Sequence, residues 1–136
     1  DFDVIGHLDL VKRYSHGIYG YRVSLMDAEE GLRELFRKLV ARGKGIEINT
    51  SGLRQGAGET LPGLDVLKLY REMGGEILTI GSDAHKKEDV GAGNGFAQAM
   101  AVEAGFQYLT SYSNRIPSFH PIMETRKKGA HLVRIA

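Results

Sequence analysis

The sequence predicts an α/β fold in which parallel strands alternate with flanking helices. Three observations carry this expectation. Short β-branched apolar runs alternate along the chain with amphipathic runs of helical length. Eighteen glycines among the 136 residues sit at the joints between those runs and form no low-complexity tract. Polar residues gather directly after the strand-like runs, and apolar residues fill them.

The elements follow in order. Asp3 to Gly6 reads as a short strand that ends in Gly6-His7-Leu8-Asp9. Leu10 to Met26, with Tyr14, Tyr19 and Tyr21, reads as a loop holding one helical turn. Asp27 with Glu30 three residues on has the form of a capping box. Leu32, Leu35, Phe36, Leu39 and Val40 then repeat at the spacing of one helix face, and Gly43 and Gly45 end that helix. Gly45 to Asn49 alternates as a second strand, and Thr50 to Leu61 is a loop. Pro62 suits a helix's first turn, Leu64, Leu67, Tyr70 and Met73 give it a stripe, and Gly74-Gly75 stops it. Glu76 to Ile80 is a third strand. Asn94 caps a further helix that closes at Gly105. Phe106 to Leu109 is a fourth strand, Ser113 to Pro121 a loop, and His131 to Ile135 a last strand. Units of this kind cross over right-handed and bury both faces of the sheet.

Composition narrows the function classes. Apolar residues at 42% and charged residues at 26% suffice for one packed domain. Lys and Arg total 18 against 17 Asp and Glu, so the charge of +1 leaves no footprint for nucleic acid. The longest uncharged run, Val90 to Val102, is thirteen residues, too short for a bilayer-spanning helix. There is no cysteine, so any metal is held by nitrogen and oxygen. No secretory signal opens the chain. Asp1 stands almost inside the first strand, which leads us to expect a piece of a longer protein.

Parallel α/β folds carry their chemistry at the carboxyl ends of strands. After the first strand come His7 and Asp9, after the second Asn49, Thr50, Ser51 and Arg54, and after the third Ser82, Asp83 and His85. His7-x-Asp9 and Asp83-x-His85 share an i, i+2 spacing that points both side chains one way in extended backbone. Imidazole with carboxylate suits zinc, manganese or iron better than calcium. One such pair is common by chance; two at equivalent strand ends say more. The plainer alternative makes His7 and Asp83 buried groups bonded to backbone at tight turns, or Asp83 a helix cap. Arg13 and Arg54, in loops on the same edge, have the fork geometry that grips phosphate. Lys12, Lys86 and Lys87 read as solvated. Glu47 alternates to the face opposite Ile46 and Ile48, towards a barrel interior. His16, His120 and His131 have no partner at ligand spacing.

The segments Ile5-Gly6-His7-Leu8-Asp9-Leu10-Val11-Lys12-Arg13-Tyr14, Glu47-Ile48-Asn49-Thr50-Ser51-Gly52-Leu53-Arg54 and Thr79-Ile80-Gly81-Ser82-Asp83-Ala84-His85, with Asp89-Val90-Gly91, resemble a known family. It is the histidinol-phosphate phosphatases of the polymerase-and-histidinol-phosphatase (PHP) type. The resemblance covers roughly Asp1 to Gly105 and matches their C-terminal half. It implies that residues 1–136 form one domain, part of a distorted barrel of seven β/α units. It implies up to three divalent ions (zinc, manganese or iron) in the complete barrel, with His7, Asp83 and His85 as ligands and Arg13 and Arg54 on the substrate phosphate. Asp83 would also be catalytic, while Asp9 belongs to the motif without an assigned role at the metal. The implied reaction is hydrolysis of histidinol phosphate in histidine biosynthesis, in the cytoplasm, on a small phosphate ester and away from membrane and nucleic acid. The family's remaining ligands lie in an N-terminal half missing here, so the chain alone is expected to be inactive and to need that half or to self-associate. Two rivals are a PHP phosphoesterase for nucleotides and a non-catalytic α/β interaction module.

Overall fold

A computed structural model describes residues 1–122. Its centre is a parallel sheet of three strands, β1 (Val4–Ile5), β2 (Gly45–Asn49) and β3 (Leu78–Gly81), in the order β1-β2-β3. Val4 pairs with Gly45, and Ile46 to Asn49 pair with Leu78 to Gly81. All three carboxyl ends therefore meet one edge.

Helices α1 (Val11–Tyr19), α2 (Glu29–Ala41), α3 (Leu64–Glu72) and α4 (Asn94–Glu103) complete the α/β part. Alternation along β2 sends Ile46 and Ile48 into a core shared with Phe36 of α2, Leu67 and Tyr70 of α3 and Ala101 of α4. Phe36 and Tyr70 meet edge-on with ring centres 5.1 Å apart, and Tyr70 stacks on Phe106 at 6.2 Å. The buried Tyr70 hydroxyl donates within reach of the Lys44 and Ile77 carbonyls, both at 3.2 Å, and burial pushes its pKa up to about 12. The opposite sheet face, carrying Val4, Glu47 and Thr79, is only half-buried among the described residues, so the expected burial of both faces is not met there.

Several expectations fail. Residues 10–26 are not a loop with one turn, because α1 spans nine of them. Its buried residues, Lys12 and Ser15, are polar, while Val11, Tyr14 and Ile18 face outward, so its apolar stripe marks the wrong side. The capping box at Asp27 does not form. Instead the Ser24 hydroxyl accepts the Met26 N–H at 3.1 Å and starts a 3₁₀ turn, Leu25–Ala28, that runs into α2. Gly93 rather than Asn94 stands at the cap of α4, and Pro62 precedes the Gly63 cap of α3.

A further difference adds an element to the α/β fold. Residues 113–121 are no loop: β4 (Tyr108–Ser113) and β5 (Ile116–Pro121) form a separate antiparallel hairpin. Asn114 and Arg115 take positive φ, 49° and 66°, as a two-residue hairpin turn requires. Arginine is an unusual occupant of that position. It is held there by Asp1 at 2.7 Å and Asp3 at 2.9 Å, which ties the turn to the start of β1. Arg115 and Lys44 together hold the Asp3 carboxyl down at about 2. The architecture is thus mixed α/β, with three parallel strands and a hairpin, and the described residues do not close into a barrel. The strand expected over 131–135, with His131, lies outside the described residues.

Candidate metal centre

The carboxyl edge of the sheet is organised around Glu47. In the middle strand its side chain reaches between the two outer strand ends. Oε2 accepts the backbone N–H of His7 at 3.2 Å and the side-chain amide of Asn49 at 3.1 Å. Oε1 lies against Gly81: a Cβ there would overlap Oε1 and stand 2.8 Å from Cδ. A Cβ at Gly6 would come within 3.1 Å of Oε2. Two glycines thus make the room that one carboxylate fills.

From Asn49 the network continues to Asp83. The Asn49 side-chain oxygen accepts from Ser51 N–H at 3.0 Å and from the Ser51 hydroxyl at 2.5 Å. Arg13 donates to Ser51 Oγ at 2.6 Å, and the same Nη2 stands 3.5 Å from Asp83 Oδ2. Asp83 Oδ1 lies 3.5 Å from His85 Nε2. Arg54 donates to the carbonyls of Ser82 at 2.6 Å and Asp83 at 3.3 Å, with its Nε 3.4 Å from Asp89. Both arginines therefore converge on the Asp83 corner. Arg13 does so from the first turn of α1, not from a loop as expected; Arg54 closes the 3₁₀ turn Thr50–Leu53 that follows β2.

His7 and Asp83 share a backbone peculiarity. Their φ angles, 32° and 49°, lie in the left-handed region that non-glycine residues seldom occupy. Both remain accessible: His7 and His85 are exposed and Asp83 is half-buried. Among the described residues this exposure does not fit the alternative of sealed, turn-stabilising groups. Nor does Asp83 cap the turn Lys87–Asp89, whose cap residue is Lys86 and lacks a side-chain bond.

Asp9 stands apart from this edge. Residues 8–10 form a turn, so the i, i+2 argument does not apply. Asp9 is fully buried and ion-paired with Lys12 at 2.8 Å, and Lys12 also meets Glu59 at 3.2 Å. Lys12 is therefore not solvated, contrary to expectation. Burial pushes the Asp9 carboxyl up, against the pull of Lys12. Burial works to lower the Lys12 pKa, but Asp9 and Glu59 outweigh it and hold it above the usual lysine value.

The fit to a metal is partial. Asp83 with His85 forms a carboxylate–imidazole pair of the right chemistry, and His7 faces solvent on the same edge. Among the described residues, however, no group of three or more His, Asp or Glu is gathered closely enough to hold one ion. Sequence reasoning placed Glu47 on this face but assigned it no role in the site. The signal that could have found it is the pair of glycines, one on each flanking strand end.

No family model matches the chain. It is 31% identical over 108 residues to a probable histidinol-phosphatase of Thermotoga maritima, covering 79% of this chain and 43% of that protein. Against the histidinol-phosphatase of Lactococcus lactis the identity is 30% over 114 residues, 83% of this chain and 41% of the other. The crystal structure of the Lactococcus lactis histidinol phosphate phosphatase, complexed with zinc, L-histidinol and phosphate, matches with a TM-score of 0.67 at 25% identity. That match covers 87% of this chain and 44% of the other. A putative histidinol phosphatase from Listeria monocytogenes matches at 0.53 with 28% identity, over 68% and 35%. The chain thus spans less than half the length of the curated relatives it matches. In sequence and fold the chain is therefore similar to part of each of these histidinol-phosphatases.

Proposed function

We propose that the protein to which this chain contributes is a metal-dependent phosphomonoester hydrolase that converts histidinol phosphate to histidinol and phosphate, a step of histidine biosynthesis in the cytoplasm. The observation that carries this reading is the convergence of Arg13 and Arg54 on Asp83, itself paired with His85, at an accessible strand-end corner. The similar histidinol-phosphatases, one of them with L-histidinol and phosphate bound, support the choice of substrate.

His7, Asp83 and His85 would hold divalent metal, with zinc the best-supported identity because a similar structure contains it. Such a metal supplies an acidified water and Lewis acidity at a phosphoryl oxygen. Arg13 and Arg54 meet the phosphate. Arg13 Nη2 is held by Ser51 at 2.6 Å and stands 3.5 Å from Asp83, so the guanidinium's remaining N–H groups would meet a phosphate oxygen and stabilise charge that develops there. Asp83, once released on one oxygen, would orient the attacking water, take its proton and return that proton to the departing alkoxide.

The ligand set held by these residues is incomplete. We therefore take residues 1–136 as the C-terminal half of a (β/α)7 PHP barrel. This half binds metal weakly and turns over no substrate until an N-terminal half, or a second copy, completes the site. The test is a substrate panel on the zinc-loaded full-length protein. Histidinol phosphate should be preferred over nucleotide phosphodiesters, and Asp83→Ala should abolish turnover. A nucleotide preference would replace the substrate assignment. Wild-type rates from Asp83→Ala would remove this corner from the chemistry.

A further inference from the structure

Glu47 does more than fill a gap in the sheet. Of its two oxygens, Oε2 takes two hydrogen bonds, and the one from His7 comes from a backbone N–H whose residue sits at φ 32°. A left-handed conformation at a non-glycine residue persists only where its surroundings hold it. At the Asp83 corner that hold is shared: Arg54 takes the Ser82 and Asp83 carbonyls and Arg13 faces the carboxylate. At the His7 corner the Glu47 carboxylate is the side chain that bonds the His7 backbone among the described residues. Gly6 and Gly81 keep that carboxylate's space open from both flanking strands.

We propose that Glu47 is a positioning residue, whose carboxylate fixes the His7 backbone so that its imidazole is presented to metal from the same sheet edge that carries Asp83 and His85. This rests on the metal-dependent reading above and adds to it an asymmetry. Loss of the Glu47 acceptor should release His7 and leave the Asp83–His85 pair in place.

The test uses the full-length protein, zinc as the probe, and Glu47→Met, which keeps the side chain's length and removes both acceptor oxygens. Zinc affinity should fall roughly 10–100-fold, as removal of an outer hydrogen-bonding partner does at metal sites, while the melting temperature without zinc stays at its wild-type value. In NMR spectra zinc should shift both the His7 and His85 imidazoles of the wild type. In the variant the His85 response should persist and that of His7 should be lost. Equal zinc affinity and an unchanged His7 response in Glu47→Met would overturn the role of Glu47 and leave the metal reading standing. Absence of zinc uptake by the wild type itself, with both imidazoles unmoved, would overturn the metal reading and this inference with it. A second measurement does not depend on the variant folding. The His7 amide of the wild type should be protected from hydrogen exchange, and exchange at the rate of an open loop would overturn the proposal.

Discussion

Lys12→Met probes the buried ion pair beneath α1. Asp9 is fully buried, and the Lys12 ammonium lies 2.8 Å from its Oδ2. At an effective dielectric of about 20 that contact amounts to about 6 kcal/mol of gross attraction, most of it offset by the cost of taking both charges out of water. Methionine keeps much of the stem's packing and deletes the charge, so the loss reports the stranded carboxylate. Breaking one side of a buried pair costs about 3–5 kcal/mol, a large share of the ~5–15 kcal/mol that holds a typical domain together. Urea unfolding of the full chain measures it. The sign with pH can be worked out. In the variant the Asp9 carboxyl, already pushed up by burial, has lost the cation that pulled it down. Its folded pKa then lies above the unfolded value of 3.8, so protonation favours the folded state. The deficit should shrink as pH falls from neutrality towards 4. A loss below ~1 kcal/mol, or one that does not shrink on acidification, would refute this account of the pair.

Three further outcomes are expected. The Asp3 carboxyl is held at about 2 by Arg115 and Lys44, so its contribution is present above 3.8 and lost as pH falls towards 2; tyrosine fluorescence should report the hairpin loosening in that window, and Arg115→Ala, which leaves only Lys44 on Asp3, should diminish the transition. Tyr70→Phe removes a buried hydroxyl shared by two carbonyls and should cost ~1–3 kcal/mol in denaturant titration, while Phe36→Ala, with no exposure to solvent, should cost ~3–5 kcal/mol. In the full-length enzyme Arg54→Ala should raise KM for histidinol phosphate more than it lowers kcat if it grips the phosphate equally in ground and transition states; an unchanged KM would assign Arg54 to the Ser82–Asp83 backbone alone.

Legibility in the sequence followed a simple physical line. Where apolar period and burial coincide, the element could be read: β2 has the bounds its alternation suggests, and α2 carries Leu32, Phe36 and Leu39 inward. Where a buried face is polar, the period misleads. Lys12 and Ser15 face in along α1 only because Asp9 and Glu59 wait for the lysine. The hairpin escaped notice because Asn114-Arg115 lacks the usual glycine, and the acids that hold Arg115 lie more than a hundred residues away in the chain. At the site, Asp83, His85, Arg13 and Arg54 could be chosen by residue type and strand-end position, and they do come together. Asp9 could not be told from them by spacing, since only the turn over residues 8–10 withdraws it. Glu47 links to His7 through a backbone N–H, which no side-chain pattern discloses.

The pairing of β2 with its neighbours has a consequence for how this chain can change over generations. Side chains along a strand alternate with a period of two, so a slip of one residue would turn Glu47 in among Phe36 and Tyr70 and put Ile48 where the carboxylate stands. A single inserted or deleted codon between Gly45 and Asn49 would therefore strike folding and chemistry in one event. Drift in this gene should accumulate length changes in its connecting segments and almost none within those five residues.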